Sequence, residues 1–593
     1  MLKSTVVRIV LVLLAALLAA GGWLYTHRAK RIELVTYVPE SALGFLEIND
    51  LPQLLTQTTS TKAWQLLAPA YGISGKLGFL GKVSRLGWLA SLAGNQEAVI
   101  FSQAQVAIIA TSLEVRGEAV KPRLALVAET HSQASALQSI MEKRLPELAH
   151  SLFGQVEKQT SEYAGVPVVS FGILGSERKL LAARIDSELI LANHEEPLRA
   201  CIDTRLGHAP SIAGNFYLPK ARPTVGANAS IFGFVTAEGV KRLLRFGTYM
   251  VAGEVVGKAA LAGAVGDVFT DFSAKTCDGI AYGTSFADGR VIDRYALLFK
   301  PELTERLKTI IKAAPNQDRA LNLVPASARE VTVINIINPS RMLDEVEKVV
   351  SSRVDAAQSF LLHQFLIGLR EAAFGKEPGG TKSGEFLNAA VDDEIISFNL
   401  TNEPLNRVWL LAARDRTIMA RLAENMLAQV RARSTAAVRH ENVAGFDVMN
   451  SSEPSRGAAV FIGDVLALGP RAQLLGLIEA HRSGQRLTPT PQFTSANQSL
   501  RALLALRSLP ATPLTSFSSV KEESNEMMIL LARAFGTTVI PPQVPALEQL
   551  PLAASTTSLS EQGLLFESQS PFGNLPFLVS LADGSITSKE QSQ

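Results

Sequence analysis

The feature that most constrains this chain is that one stretch of sequence is written twice. Tyr37-Val38-Pro39-Glu40-Ser41-Ala42 is echoed by Leu323-Val324-Pro325-Ala326-Ser327-Ala328. Each copy runs on through alternating apolar residues to an asparagine, Asn49 or Asn335, and then into a helical stretch, Leu51 to Leu67 or Pro339 to about Val354. The echoes continue in one order. Glu97-Ala-Val-Ile-Phe answers Glu394-Ile-Ile-Ser-Phe, and Leu124-Ala-Leu-Val-Ala-Glu answers Trp409-Leu-Leu-Ala-Ala-Arg. Ala164-Gly165 answers Ala444-Gly445, and the run from Ile185 to Leu191 answers that from Ile462 to Leu468. Ordered self-similarity of this kind is the signature of a duplicated unit. Residues 37–300 and 322–582 are therefore expected to form two related units, with 583–593 as a frayed tail. Pro39 should fall on Pro325, Ile185 on Ile462 and Gly279 near Gly563, and Leu189, Leu191, Leu466 and Leu468 should be buried.

Strands are clearest where turn residues separate them. Asp288-Gly289 divides two alternating runs, Gly279 to Phe286 and Arg290 to Phe299; tight hairpins favour that pair because they need positive φ. Asp186-Ser187, Gly463-Asp464 and Asp583-Gly584 mark comparable turns. Adjacent antiparallel strands mixed with helices predict an α+β fold: two tandem related units of mainly antiparallel sheet covered by helices. The stripe Ala134, Leu137, Ile140, Met141 suits a covering helix. Gly375 to Gly384 reads as an inserted loop, and Leu487 to Gln492 and Ile540 to Pro551 as proline-marked connections.

Residues 1–31 carry a different signal. Ile9 to Thr26 is uncharged, and as a helix it would be about 27 Å long, enough for a hydrocarbon core. Ile9, Leu14 and Leu18 lie in the run, and Trp23 and Tyr25 close it with interfacial rings. The expectation is a single N-terminal transmembrane helix, an uncleaved signal anchor, with the body in the periplasm of a bacterial-type cell. A cleaved signal peptide ending near Gly21 or Gly22 is the rival reading.

At Tyr37-Val-Pro-Glu-Ser-Ala, at Ile48-Asn-Asp, and at the strand, turn, strand and helix from Ile185 to Asp203, the chain resembles the uncharacterised bacterial "domain of unknown function 3352" family. The resemblance implies one hydrophobic N-terminal segment before a long α+β body. It implies no activity and no site residues.

Chemistry-bearing patterns are sparse. Net charge is +2 with 19% charged residues and no basic stripe, which disfavours a nucleic-acid partner. No Gly-x-Ser-x-Gly elbow occurs, and Gly283-Thr284-Ser285 reads as strand. The Gly and Ala of 253–266 read as helix packing, not as a phosphate cradle. His194 beside Glu195 and Glu196, and His440 beside Glu441, read as helix-edge or loop residues. Asp392-Asp393-Glu394 reads as a solvated turn, because adjacent residues on a strand face opposite ways. Cys201 and Cys277, the only cysteines, are a possible disulfide or two buried thiols. No catalytic, metal or cofactor residue is assigned. The expectation is a noncatalytic, membrane-tethered binding or scaffolding protein of the cell envelope, with an envelope protein as partner. The alternatives are a carrier of an apolar ligand and an enzyme of unfamiliar type.

Overall fold

The computed structural model describes residues 32–574, apart from 74–103, 246–258, 365–389, 535–543 and several shorter stretches. Its strands are β1 (Gly44–Ile48), β2 (Gln105–Arg116), β3 (Ala119–Glu129), β4 (Glu157–Tyr163), β5 (Val166–Gly172), β6 (Lys179–Ile185), β7 (Glu188–Ala192), β8 (Ile231–Thr236), β9 (Cys277–Ala287) and β10 (Arg290–Phe299). There follow β11 (Glu330–Asn335), β12 (Val391–Asn399), β13 (Arg407–Ala413), β14 (Val438–Val443), β15 (Phe446–Ser451), β16 (Ala458–Ile462), β17 (Val465–Gly469), β18 (Leu514–Ser518), β19 (Ala553–Ser560) and β20 (Gly563–Ser570). The helices needed below are α1 (Ala134–Phe153), α2 (Glu195–Arg205), α3 (Leu218–Val225), α4 (Ala259–Thr276), α5 (Arg416–Ala428), α6 (Arg471–Ser483), α7 (Pro491–Leu506) and α8 (Lys521–Ala534).

Two compact units divide the chain. The first is drawn from Met1–Ser41, Glu47–Pro52 and Lys82–Gly214, the second from Ala42–Leu46, Gln53–Gly81 and Asn215–Gln593. In the first unit the ladder runs β2–β3–β7–β6–β5–β4. In the second, β12–β13–β17–β16–β15–β14 runs in the same order, and β18–β19–β20 follows the same path as β8–β9–β10.

The turns repeat as well. Ala164 and Gly165, like Ala444 and Gly445, have positive φ, and so do Asp186 and Gly463 at the next equivalent hairpins. Two-residue hairpins need that left-handed backbone to match strand twist, which is why the same positions resist drift.

Helices cover the ladders through apolar stripes. Leu137 of α1 packs with Leu189, Ile140 and Met141. Met419, Leu422, Ala423 and Leu427 of α5 bury Leu411, Leu466 and Leu468. Leu474, Leu477 and Ile478 of α6, with Phe493, Ala496, Leu500 and Leu503 of α7, enclose a third core around Phe398, Leu410 and Val460. Each fully buried side chain of this size contributes about 1.5–3 kcal/mol.

Several expectations need correction. The strands do not form two separate tandem sheets; within the second unit one antiparallel sheet takes in strands of both repeats. The cause lies in the second unit, where β10 and β20, the last strands of the two repeats, pair from Val291↔Ser570 to Leu298↔Gly563. Each strand thereby satisfies an edge the other would leave bare. The transmembrane helix and signal anchor are likewise not part of the observed architecture. Among the described residues no helix is long and apolar enough to cross a membrane. Ile9, Leu14, Leu18, Trp23 and Tyr25, the expected loop at Gly375 to Gly384 and the turn at Asp583-Gly584 lie outside the described residues.

Register also corrects two echoes. Trp409 sits opposite Leu468 as Leu126 sits opposite Leu191, so the match of Leu124 to Trp409 is out by two residues. An even shift keeps every side chain on its own face, which is why the pattern concealed it. Gly279 lies on β9 and Gly563 opens β20, the last strand of its repeat, so they are not equivalent; they flank Leu298 from opposite sides. Leu189, Leu466 and Leu468 are buried, whereas Leu191 is half-buried beside α1.

Gly563 should prove the least replaceable residue of the central ladder. Its φ is +135°, and an added Cβ would lie 2.1 Å from the Leu297 carbonyl oxygen. Gly563→Ala is expected to destabilise by more than the roughly 2–5 kcal/mol of Leu466→Ala, and Leu191→Ala by less. Urea unfolding followed by circular dichroism ranks the three.

Candidate functional site

In the first unit three buried polar residues lie in a row across neighbouring strands: Gln105 on β2 is opposite Glu129 on β3, which is opposite Glu188 on β7. Buried polar groups are costly unless hydrogen-bonded, and this row is supplied with fixed partners. Gln105 accepts from the Ile32 N–H and donates to the Ile32 carbonyl and to Asn49. The His131 ring nitrogen Nε2 lies 2.9 Å from Gln105 Oε1, and the His131 N–H donates to Glu129 Oε1 at 2.7 Å. His131 achieves both with a left-handed backbone, φ +51°. Arg205 Nε reaches both oxygens of Glu188, at 2.8 and 2.7 Å. Burial pushes the Glu188 carboxyl above its usual range; Arg205 and the Tyr37 hydroxyl pull it back, and Glu129 adds to the rise. Burial and the Glu188 carboxylate likewise hold Tyr37 far above an ordinary phenol. The chain's own donors occupy these carboxylates, which suits strand registration better than proton transfer.

The second unit has its own buried cluster on β9 and β10. Asp293 Oδ1 accepts from the Thr284 hydroxyl at 2.6 Å and the Tyr282 hydroxyl at 2.9 Å, while Oδ2 accepts from the Asn574 N–H at 2.8 Å. Burial raises the Asp293 carboxyl, and these hydrogen bonds oppose the rise. On the other face of β10, Arg294 Nε donates to Glu567 Oε1 at 2.6 Å and Nη1 to the Ser285 hydroxyl at 3.2 Å. Thus Gly283-Thr284-Ser285 is strand, and both its hydroxyls bind charged side chains.

The other residues singled out by sequence have structural partners. His194 caps α2, its Nδ1 accepting from the Glu196 N–H at 3.3 Å. His440 lies on β14, not at a helix edge or in a loop, and pairs with Asp447, while Glu441 pairs with Arg471. Asp392-Asp393-Glu394 belongs to β12 and is not a solvated turn. Arg319 and Arg414 hold Asp392, Arg414 holds Asp393, and buried Glu394 accepts from the Ala320 N–H. Burial acts to raise Asp392, but the Asp393 N–H and the two guanidiniums outweigh it and hold the carboxyl below its usual range. Residues 259–266 lie in α4, and 253–258 lie outside the described residues. No described group of three or more His, Cys, Asp or Glu is placed to hold a metal. Cys201 and Cys277 are free, buried thiols, one in each unit. Burial pushes Cys201 up to about 12 and Cys277 to about 11.

An open groove of about 930 Å³ in the second unit differs from these closed clusters. The N-terminal approach to β11, the end of β18 and the first turn of α8 form its walls. Arg329 pairs with Glu522 at 2.5 Å and Lys521 with Glu548, and all four side chains keep more than a third of their surface exposed. Sequence reading missed this groove because it joins segments far apart in the chain. It also missed Glu188 and Asp293, whose only local signal is an acid at the start of the apolar strand β7 or among the apolar and basic residues of β10. No family model, no curated protein and no solved structure matches the chain.

Asp293 provides a test by pH. A raised folded-state pKa contributes stability that is full below the unfolded carboxylate range and lost as pH rises through the folded value. The stability of the wild-type protein relative to Asp293→Asn is therefore expected to fall as pH rises from 4 to 8; a flat difference in urea unfolding would refute it. The thiols give a second test. Both should resist a disulfide reagent in the native protein at neutral pH, and two should titrate after nonreducing denaturation.

Proposed function

We propose that this protein binds a partner without transforming it, using the groove of the second unit to hold an extended polypeptide segment bearing both signs of charge. The observation that carries the reading is the pair of exposed ion pairs, Arg329–Glu522 and Lys521–Glu548, in the groove lining. Exposed pairs of this kind contribute only about 0–1 kcal/mol each, so a ligand offering matching charges can exchange with them at little cost. The groove is open and largely polar, which favours side-chain recognition over the dry enclosure that an apolar cargo or a reacting group requires.

A displayed library of random peptides, selected on the full chain, tests the reading. Enriched peptides should carry acidic and basic residues together, and Arg329→Ala/Lys521→Ala should weaken them about tenfold or more. Absence of enrichment, or binding indifferent to the double variant, would overturn it.

A further inference from the structure

We infer that the free edge of β4 pairs with β4 of a second copy of this chain. This surface is independent of the groove. Among the described residues β4 hydrogen-bonds to β5 alone, and six of its seven residues are exposed, so both faces of the strand and one edge stand clear of the described core. Its sequence is Glu157-Lys158-Gln159-Thr160-Ser161-Glu162-Tyr163.

A charged edge strand ordinarily repels casual partners. Here the order of charges makes one partner an exception. If two copies pair antiparallel about Thr160, Lys158 of each falls opposite Glu162 of the other, on the same face because their spacing is even. Gln159 then meets Ser161, and Thr160 meets its own counterpart. A parallel arrangement in register sets like charge against like, Lys158 on Lys158 and Glu162 on Glu162. The two-fold is closed and self-complementary, so association stops at a pair.

The equivalent edge in the other repeat shows why β4 is the better choice. On β14, Glu441 is engaged by Arg471 and His440 by Asp447 within the same chain. On β4, neither Lys158 nor Glu162 has an ion pair among the described residues; of its side chains Tyr163 is anchored, donating to Asp203 at 2.8 Å under the Arg199 guanidinium. The two opposite charges of β4 thus remain available for each other across a two-fold. A seven-residue ladder is short, so the pair is weak and concentration-dependent.

Sedimentation equilibrium of the full chain over a concentration series, with circular dichroism to verify folding, tests the assignment. The wild type should form dimers and no larger species. Lys158→Glu places Glu opposite Glu, and Glu162→Lys places Lys opposite Lys; each alone should weaken the dimer about tenfold or more. Mixing the two variants restores both opposite-sign pairs and should restore dimers of one copy of each. A wild type that stays monomeric up to its solubility limit, dimers insensitive to either variant, or a mixture that fails to recover would each overturn the assignment.

Discussion

The β10–β20 ladder is the constraint on which the second unit depends. Each of these strands ends one repeat, and each would otherwise expose a row of unpaired N–H and C=O groups. Pairing them fixes Arg294 opposite Glu567, an ion pair with Glu567 almost wholly buried. Removing one partner of such a pair costs about 3–5 kcal/mol, because the remaining charge stays desolvated. The pair also enforces register. A slip by one residue would turn Glu567 to the face that already holds Asp293 and take it away from its guanidinium.

How much of this was legible depends on where the physical signal resides. Turns announced themselves: Asp288-Gly289, Ala164-Gly165 and Ala444-Gly445 need backbone that few residues adopt, so they stand out locally and persist through duplication. The ladder order that follows from them was implicit in the echoes. Exact register was not, since a displacement of two residues leaves the apolar alternation unchanged. The joining of β10 to β20 had no local sign at all, because any half-buried strand is a possible partner for another. The groove was equally hidden, its charges being ordinary surface residues until distant segments converge. Glu188 and Asp293 were visible only as acids at the start of β7 and within β10. The partners that make them tolerable, Arg205 and Tyr37 or Thr284 and Tyr282, lie on other elements or across a strand.

The repeats have also diverged where burial is most expensive. With Leu189 equivalent to Leu466, the opposed acids Glu129 and Glu188 correspond to Ala412 and Val465, which face each other in the same ladder position. One repeat meets this position with charge and a set of hydrogen-bonding partners, the other with apolar packing. Both solutions satisfy the rule that a buried group must be either apolar or fully partnered. Polar registration by Arg205 and His131 is thus a property of one copy, not a requirement of the ladder.

The distance along the chain between β10 and β20 has a consequence during synthesis. β10 ends at Phe299 and β20 begins at Gly563. At about 5–20 residues per second, the ribosome releases β20 some tens of seconds after β10. Through that interval β9 and β10 can form their hairpin and β8 can pair with β9, but the outer edge of β10 has no native partner. An apolar-rich strand edge exposed for so long is open to pairing with another nascent chain, so the yield of folded protein depends on keeping neighbouring chains apart until the last hairpin emerges.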